Sequence, residues 1–466
     1  MGEIKGNPKR AGLGYTIGNY FIRGIGFITL PIFSRLLSTE DFGIFNTFTA
    51  YENILFILIG LALHTSFKNA NLKYPEKFRN YISDCVAICL AVGAIFMIIA
   101  LGLSFFVKEI SFEYSVILVV GSTATAIIAY YNSYLGVYYK SGSYLIIAGI
   151  NAISNVILSL ALILSVFSNN RGMGRIYGKT LPIIMISACL VYRLWKTNKP
   201  SLNMEYIKFA LRFSMPLIPH GLSQVLLSSS DRIMISNFIG DSEAGIYSFA
   251  FTLSSIVGVT YSSLDQVWSP WFFQAFKQKR YIDIKRNANV YLALMSMLTV
   301  IIMLICPEAT LIIGSAKYED SLSLAVPVII AGYFSFVYSF SAVVEYYHEK
   351  TKYIAIGTIM AALINVILNY ICILKWGYVA AAYTTIFTYM LYCAFHSIIA
   401  SRILNGLSLY NMFFFAAMII FVVSMALFSQ VLLSYYIPRW IVAIIIGIVL
   451  LVYFDRKIGI KRVLKR

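Results

Sequence analysis

The sequence has 466 residues, of which 59% are apolar and 12% are charged. Ordinary soluble domains carry about 25% charged residues, so this composition excludes a soluble, disordered, collagen-like or disulfide-rich secreted protein and indicates an integral membrane protein. The formal net charge of +17 would suggest nucleic-acid binding in a soluble chain. Here the positions of the basic residues indicate membrane topology instead, and no nucleic-acid partner is expected.

Fourteen apolar segments follow one another along the chain. A helix needs about 20 apolar residues to cross the hydrocarbon layer. Windows of that size predict spans at residues 11–36, 42–67, 81–107, 114–139, 143–168, 173–195, 205–239, 244–275, 287–313, 321–348, 353–375, 377–401, 411–434 and 438–455. The connections are too short to form a soluble catalytic domain. The sequence therefore predicts an all-α membrane protein.

The basic residues orient these spans in the membrane. If the N-terminus is cytoplasmic, 25 of the 37 Lys and Arg residues lie at cytoplasmic span ends, 6 lie at the opposite face and 6 lie within spans. Lys and Arg are enriched in the cytoplasmic loops of membrane proteins. This asymmetry predicts that both termini lie in the cytoplasm.

The chain also resembles itself at an offset of about 200 residues. Segment 34–48 matches 236–250, and Asn155-Val-Ile-Leu158 recurs as Asn365-Val-Ile-Leu368. The repeat predicts two parallel six-helix bundles, as in one class of transporters whose site lies between the halves. The predicted division is residues 1–195, a cytoplasmic linker at 196–204, residues 205–403, and two additional helices with a basic tail at 404–466.

Three motifs carry a family resemblance. Residues 27–45 contain Pro31, Arg35 and Gly43; residues 212–247 contain Pro216, Pro219 and Gly245; and Gln266-Val-Trp-Ser-Pro-Trp271 ends the eighth span. Together these residues resemble the Wzx-type polysaccharide flippases of the multidrug/oligosaccharidyl-lipid/polysaccharide (MOP) exporter superfamily. The resemblance covers roughly residues 10–400.

The resemblance implies a function and a location. It implies that the chain translocates undecaprenyl-diphosphate-linked oligosaccharide units, destined for O-antigen, capsule or exopolysaccharide, across the bacterial cytoplasmic membrane. Membrane lipids and the polysaccharide polymerase and chain-length machinery would then be partners. A lipid II or multidrug exporter of the same superfamily stays open, because fourteen spans are shared with lipid II flippases. A membrane polymerase is less favoured, because no long external loop is present.

Cations within the spans are candidates for holding the diphosphate. An unpaired diphosphate is too costly in an apolar layer, and charged groups at membrane depth usually face a protein interior. The predicted substrate-binding residues are Arg23, Arg175, Lys179, Arg212 and Arg232. Each residue also has a structural alternative. Arg23 would form an ion pair with Glu52, and Arg175 and Lys179 would lie at the membrane interface. Arg212 would serve helix packing at the bend expected from Pro216 and Pro219, and Arg232 would be compensated locally by Asp231.

Acids within the spans are candidates for coupling transport to H⁺ or Na⁺. They are Glu52, Asp231, Asp265 and Glu345. Asp265 and Glu345 have no adjacent cation in the sequence, which favours them for coupling.

The sequence contains no recognisable catalytic or metal-binding motif. Residues 172–180 approach a phosphate-binding loop, but Met173 stands where the motif requires glycine. There is no HExxH, no Cys/His cluster and no G-x-S-x-G. The sequence predicts a transporter that uses no enzyme chemistry, cofactor or metal.

Overall fold

The computed structural model describes residues 8–106, 111–433 and 435–458; within them, it leaves out the side chains of residues 8–13, 15–17, 19–23, 106 and 454–458. The described residues form sixteen α-helices joined by short turns and 3₁₀ segments. The helices are α1 (Pro8–Leu36), α2 (Thr39–Gly60), α3 (Phe67–Lys73), α4 (Phe78–Phe106), α5 (Phe112–Val137), α6 (Ser141–Leu164), α7 (Arg171–Thr197), α8 (Met204–Ser214), α9 (Ile218–Phe238), α10 (Asp241–Lys277), α11 (Tyr281–Gly314), α12 (Leu322–Tyr347), α13 (Thr351–Trp376), α14 (Ala380–Ile403), α15 (Met412–Val431) and α16 (Tyr436–Ile458).

Twelve helices in the described part of the chain are long and apolar enough to cross a membrane. They correspond to twelve of the fourteen predicted spans and confirm an all-α, multi-pass membrane protein. The predicted count of fourteen is not confirmed. The first predicted span lies in α1 (Pro8–Leu36), and its stretch Gly24–Leu36, whose side chains are described, is apolar and helical.

The other predicted span without a counterpart among these twelve helices, at 205–239, is interrupted. Helix α8 ends at Ser214, a 3₁₀ turn covers Met215–Leu217, and α9 follows. Pro216 and Pro219 cause the break, because proline has no N–H for the helical ladder and its ring collides with the preceding turn. Helix α8 is amphipathic: Tyr206, Ala210 and Ser214 are buried at a spacing of four residues.

The first family motif forms the turn between α1 and α2. Ser38 caps α2, since its hydroxyl accepts the Asp41 N–H at 3.0 Å while the Asp41 carboxylate accepts the Ser38 N–H at 3.1 Å. The start of α7 closes over this turn. Gly172 N–H donates to Asp41 at 2.7 Å and Arg171 donates to the Leu36 carbonyl at 2.8 Å. The motif therefore fixes α7 against α2.

The chain divides into two compact units, residues 1–236 (unit 1) and 237–466 (unit 2). The repeat-based domain boundaries stay a prediction.

In unit 1, aromatic residues fill the core around α3, α4 and α5, including Phe67, Phe78, Tyr81 and Tyr130. These rings meet mostly edge to face, the arrangement that the ring quadrupoles favour.

The segment that follows α7, residues 201–203, is fixed to α4 by one carboxylate. Buried Asp84 of α4 accepts the backbone N–H groups of residues 201, 202 and 203 at 2.7–2.9 Å, and the Ser201 hydroxyl at 3.0 Å. Nearby, the Tyr74 hydroxyl donates to Glu205 at 2.7 Å. That hydrogen bond, reinforced by Lys73, holds the pKa of Glu205 below its ordinary value.

In unit 2, an ion pair between a buried arginine and a half-buried glutamate fixes α16 against α11. The Arg439 guanidinium donates to both carboxylate oxygens of Glu308 at 2.8 and 2.9 Å and to the Leu304 carbonyl at 2.7 Å. The Trp440 indole also donates to Glu308 at 3.1 Å. Bidentate pairs of this kind have a fixed geometry, so α16 is held in one register on α11.

Candidate functional site

Two glycines bring α6 and α7 into close contact. A Cβ atom at Gly178 would collide with the backbone of Ser159, and one at Gly174 would lie 3.2 Å from Ile163. The glycine-rich run that approached a phosphate-binding loop in the sequence is therefore a helix-packing surface. Small residues allow membrane helices to approach this closely. The contact places the side chain of Arg175 directly against α6.

Arg175 is held by side chains from three helices of unit 1. Its Nη1 donates to Asn155 Oδ1 at 2.5 Å and to Ser159 Oγ at 2.6 Å, both on α6. The guanidinium also lies over the rings of Phe33 (3.9 Å) from α1 and Phe45 (4.6 Å) from α2. An arginine over aromatic faces is stabilised by the ring quadrupoles. These contacts hold the guanidinium between α1, α2 and α6.

A cavity of about 300 Å³ borders Arg175 inside unit 1. Its polar lining comes from four helices: Thr29 of α1, Asn132 of α5, Asn151 and Asn155 of α6, and Arg175 of α7. The Oδ1 atoms of Asn132 and Asn151 are buried without a hydrogen-bond partner among the described residues. Together with the guanidinium, these amide oxygens give the cavity a polar surface within an otherwise apolar bundle.

Next to this cavity, unit 1 contains a buried ion pair. Lys179 of α7 pairs with Glu52 of α2, and the Thr125 hydroxyl of α5 donates to Glu52 at 3.0 Å. Lys179 Nζ also donates to Thr49 Oγ1 at 3.1 Å. Arg175 and Lys179 therefore lie one turn apart on α7 with different roles, one at the cavity and one neutralising a buried acid.

The remaining predicted cations lie elsewhere. The side chain of Arg23 lies outside the described residues, although its backbone belongs to α1. Arg212 is exposed on the polar face of α8, together with Lys208, and does not line the cavity at Arg175. Arg232 is half-buried on α9 beside the buried Asp231.

In unit 2, the two predicted acids differ in their surroundings. Asp265 on α10 accepts the Ser269 hydroxyl at 2.8 Å and is half-buried. Glu345 on α12 is completely buried, and its Oε1 lies 2.7 Å from Nδ1 of the equally buried His396 on α14. His396 is not among the predicted site residues; it lies 51 residues from Glu345, and nothing in the sequence pairs the two.

A second polar cluster surrounds the repeated asparagine of unit 2. Asn365 and Asn369 on α13 are completely buried. Asn369 donates to Asn365 at 3.2 Å, and Asn365 donates to Thr385 of α14 at 3.4 Å. Thr384 also donates to Asn369. Uncharged groups thus fill this part of α13 and α14.

Comparison with known proteins identifies the family. A family model described as "Polysaccharide biosynthesis protein" matches residues 10–276. The chain belongs to this family. The match confirms the polysaccharide family that the three motifs predicted.

Two curated proteins of Haemophilus influenzae are also similar, "Lsg locus putative protein 1" and an "Uncharacterized membrane protein". The first is 22% identical and the match covers 83% of this chain and 93% of the relative; the second is 23% identical and covers 75% and 86%.

Solved structures show the same fold at low identity. The "Lipid II flippase MurJ, inward closed conformation" has a TM-score of 0.60 at 14% identity, covering 95% of this chain and 99% of that one. An inward-facing "multidrug resistance MATE family transporter of the MOP superfamily" has a TM-score of 0.59 at 14% identity, covering 81% and 96%. The predicted MOP-type fold is therefore confirmed.

Proposed function

We propose that this chain is a flippase that carries undecaprenyl-diphosphate-linked oligosaccharide from the cytoplasmic to the outer leaflet of a bacterial cytoplasmic membrane by alternating access. The observation that carries the proposal is the cavity at Arg175, in a membrane protein of a polysaccharide biosynthesis family. Asparagine amides donate and accept hydrogen bonds, which suits hydroxyl-rich sugars. Arginine adds the donors that diphosphate oxygens accept.

The other predicted site residues have different roles in this proposal. Arg23 would extend the cationic surface along α1. The Glu52–Lys179 pair next to the cavity has no net charge, so it would leave the positive charge of Arg175 uncompensated by Glu52. Asp231 and Asp265 stay candidates for H⁺ or Na⁺ coupling. The polysaccharide polymerase and chain-length machinery would receive the translocated unit.

Deleting the gene in its host tests the function directly. The expected result is loss of surface polysaccharide, with lipid-linked units accumulating in the cytoplasmic leaflet and restored export when the wild-type gene is supplied. A deletion strain with normal surface polysaccharide would contradict the proposal. Arrested cell-wall synthesis would instead support lipid II, the alternative for which the MurJ-like fold is the supporting observation.

Reporter fusions test the proposed topology. A reporter active only in the cytoplasm is expected to work at the C-terminus and after Lys350, and to be silent after Lys317. The reverse pattern would invert the orientation inferred from the basic residues.

A further inference from the structure

Glu345 and His396 form a completely buried acid–base pair in unit 2. Glu345 Oε1 and His396 Nδ1 are 2.7 Å apart, and both side chains are 0% exposed. The pair bridges α12 and α14, so its charge state acts on the contact between two membrane helices. The second oxygen of Glu345 and Nε2 of His396 have no hydrogen-bond partner within the described chain.

Neighbouring residues pack closely around the His396 imidazole. A Cβ atom at Gly357 of α13 would lie 2.6 Å from Nε2 and 3.0 Å from the Phe395 ring. The rings of Tyr392 and Tyr338 lie 4.5 and 5.5 Å from the imidazole. The absence of a side chain at residue 357 therefore makes room for the histidine ring in an otherwise packed site.

The titratable neighbours of the pair are mainly phenols. Tyr338 and Tyr346 come from α12, Tyr392 comes from α14, and Tyr261 and Asp265 come from α10; Tyr346 experiences the charges of both Asp265 and Glu345. From α13, Thr358 hydrogen-bonds the Tyr392 hydroxyl at 3.0 Å. Among the described residues, the ionisable group in direct contact with Glu345 is His396.

Counting protons shows what the pair can do. With one shared proton, as carboxylate with imidazolium or as carboxylic acid with imidazole, the pair is neutral overall. Removing that proton leaves a negative charge in a fully buried site, which is costly unless water or a cation reaches it. Imidazole is the side chain that ordinarily changes charge between about pH 5 and 8. Proton release is therefore tied to opening of the α12–α14 contact.

We propose that Glu345 and His396 together form the proton-binding site through which this transporter is coupled to a proton gradient. The inference rests on the proposed transport function and identifies its coupling ion. The proton binds when the pair is exposed to one side, and the neutral pair then permits α12 and α14 to close. Reopening to the other side hydrates the pair and releases the proton.

Reconstituted transport tests the coupling. The purified full-length chain is placed in vesicles of bacterial polar lipids, with undecaprenyl-diphosphate-linked oligosaccharide extracted from the deletion strain as the transported molecule. In the wild type, a pH gradient is expected to accelerate translocation. In Glu345→Gln and His396→Gln, that acceleration should fall about tenfold, a factor within the range that typical coupling free energies produce. Lipid exchange in the absence of a pH gradient should persist in both variants.

Tyr392→Phe is the matched control, because it removes a buried hydrogen bond beside the pair without removing the acid or the base. It should retain the wild-type response to the gradient. Full gradient response in both Glu345→Gln and His396→Gln would overturn the inference. Failure of the wild type to move the lipid would instead count against the proposed function.

A second measurement does not depend on transport. The chain has four histidines, so ¹⁵N-histidine spectra of the full-length protein in lipid nanodiscs can be assigned with His396→Gln. The proposal predicts that the protonation of the His396 ring nitrogens changes across a pH series and that Glu345→Gln alters this change. A protonation state that stays fixed across the series would make the pair purely structural and the inference wrong.

Discussion

Each unit buries one glutamate against a nitrogen base on a different helix, but the two bases differ in kind. In unit 1, Glu52 pairs with Lys179; in unit 2, Glu345 pairs with His396. A lysine ordinarily titrates near pH 10.4 and keeps its charge throughout the physiological range, whereas an imidazole does not. The two units therefore compensate their buried glutamates with bases of different chemistry, an ammonium in unit 1 and an imidazole in unit 2.

The repeated asparagines show the same division. Asn155 contacts Arg175 and Asn365 contacts Thr385, and in both units the partner follows its asparagine by 20 residues. The asparagine is thus common to both units, while its partner is a cation in unit 1 and a hydroxyl in unit 2. An anionic ligand is therefore better matched by unit 1.

The largest expected effect comes from removing the fixed charge of unit 1. Lys179→Ala leaves Glu52 buried without its cation, and breaking a buried pair from one side costs about 3–5 kcal/mol. Thermal unfolding in detergent should show this loss, together with lower abundance in membranes. The double variant Glu52→Gln/Lys179→Met should recover most of the stability. Equal loss in both variants would mean that the pair is not what Lys179 contributes.

Removing the cation at the cavity should affect transport more than folding. Truncating one member of a buried charged hydrogen-bonded set costs about 2–5 kcal/mol of binding. Arg175→Ala is therefore expected to reduce surface polysaccharide at least about tenfold, whereas Arg175→Lys keeps the charge and part of the export. Arg193→Ala, an exposed cation on the same helix, is the matched control. Normal export by Arg175→Ala at normal abundance would remove Arg175 from the site.

Exchanging the base in unit 1 tests whether the base alone sets the difference between the units. Lys179→His makes the Glu52 pair resemble that of unit 2. An imidazolium compensates Glu52, but a neutral imidazole does not, so the unfolding temperature of this variant should fall as the pH rises from about 5 to 8. The wild type should change little over the same interval. A flat profile for the variant would show that the base does not set the difference between the units.

The smallest expected effect lies at the exposed start of α8. The pKa of Glu205 is held below its ordinary value of 4.5 by the Tyr74 hydroxyl and by Lys73. Its contribution to stability is therefore present above that ordinary value and is lost as the pH falls through the lowered one. Glu205→Gln should unfold slightly earlier than the wild type at neutral pH and alongside it in acid. A difference that persists in acid would point to a cause other than the charge.

Sequence periodicity predicted most of the helices but not the side-chain partners. Twelve predicted spans have counterparts because about 20 apolar residues suffice to specify a membrane helix. The interruption near Pro216 was predicted as a bend, but not as a separate amphipathic helix that leaves Arg212 exposed. The four-residue spacing of Tyr206, Ala210 and Ser214, between the charged residues of the same segment, was the signal for α8 that the sequence offered.

Partners across helices depend on rotation and packing that no single segment encodes. Glu345 stood out in the sequence as an acid within an apolar helix, but its partner His396 is brought to it only by the contact of α12 with α14. Likewise, Asn132 and Asn151 become cavity residues only when α5 and α6 pack beside α7. Their polar character within apolar spans was the one indication in the sequence.

The hydrogen bonds to Asp84 have a consequence for dividing the chain into separately expressed halves. A fragment that stops at residue 195, the end of the first repeat, would keep a buried carboxylate and discard the donors at residues 201–203. It would also lose α8, whose apolar face covers the 3₁₀ turn at Leu63–Ser66 and the start of α4. A first half that ends at Ser236 retains both. Co-expressed halves should therefore assemble when cut there and fail when cut in the linker.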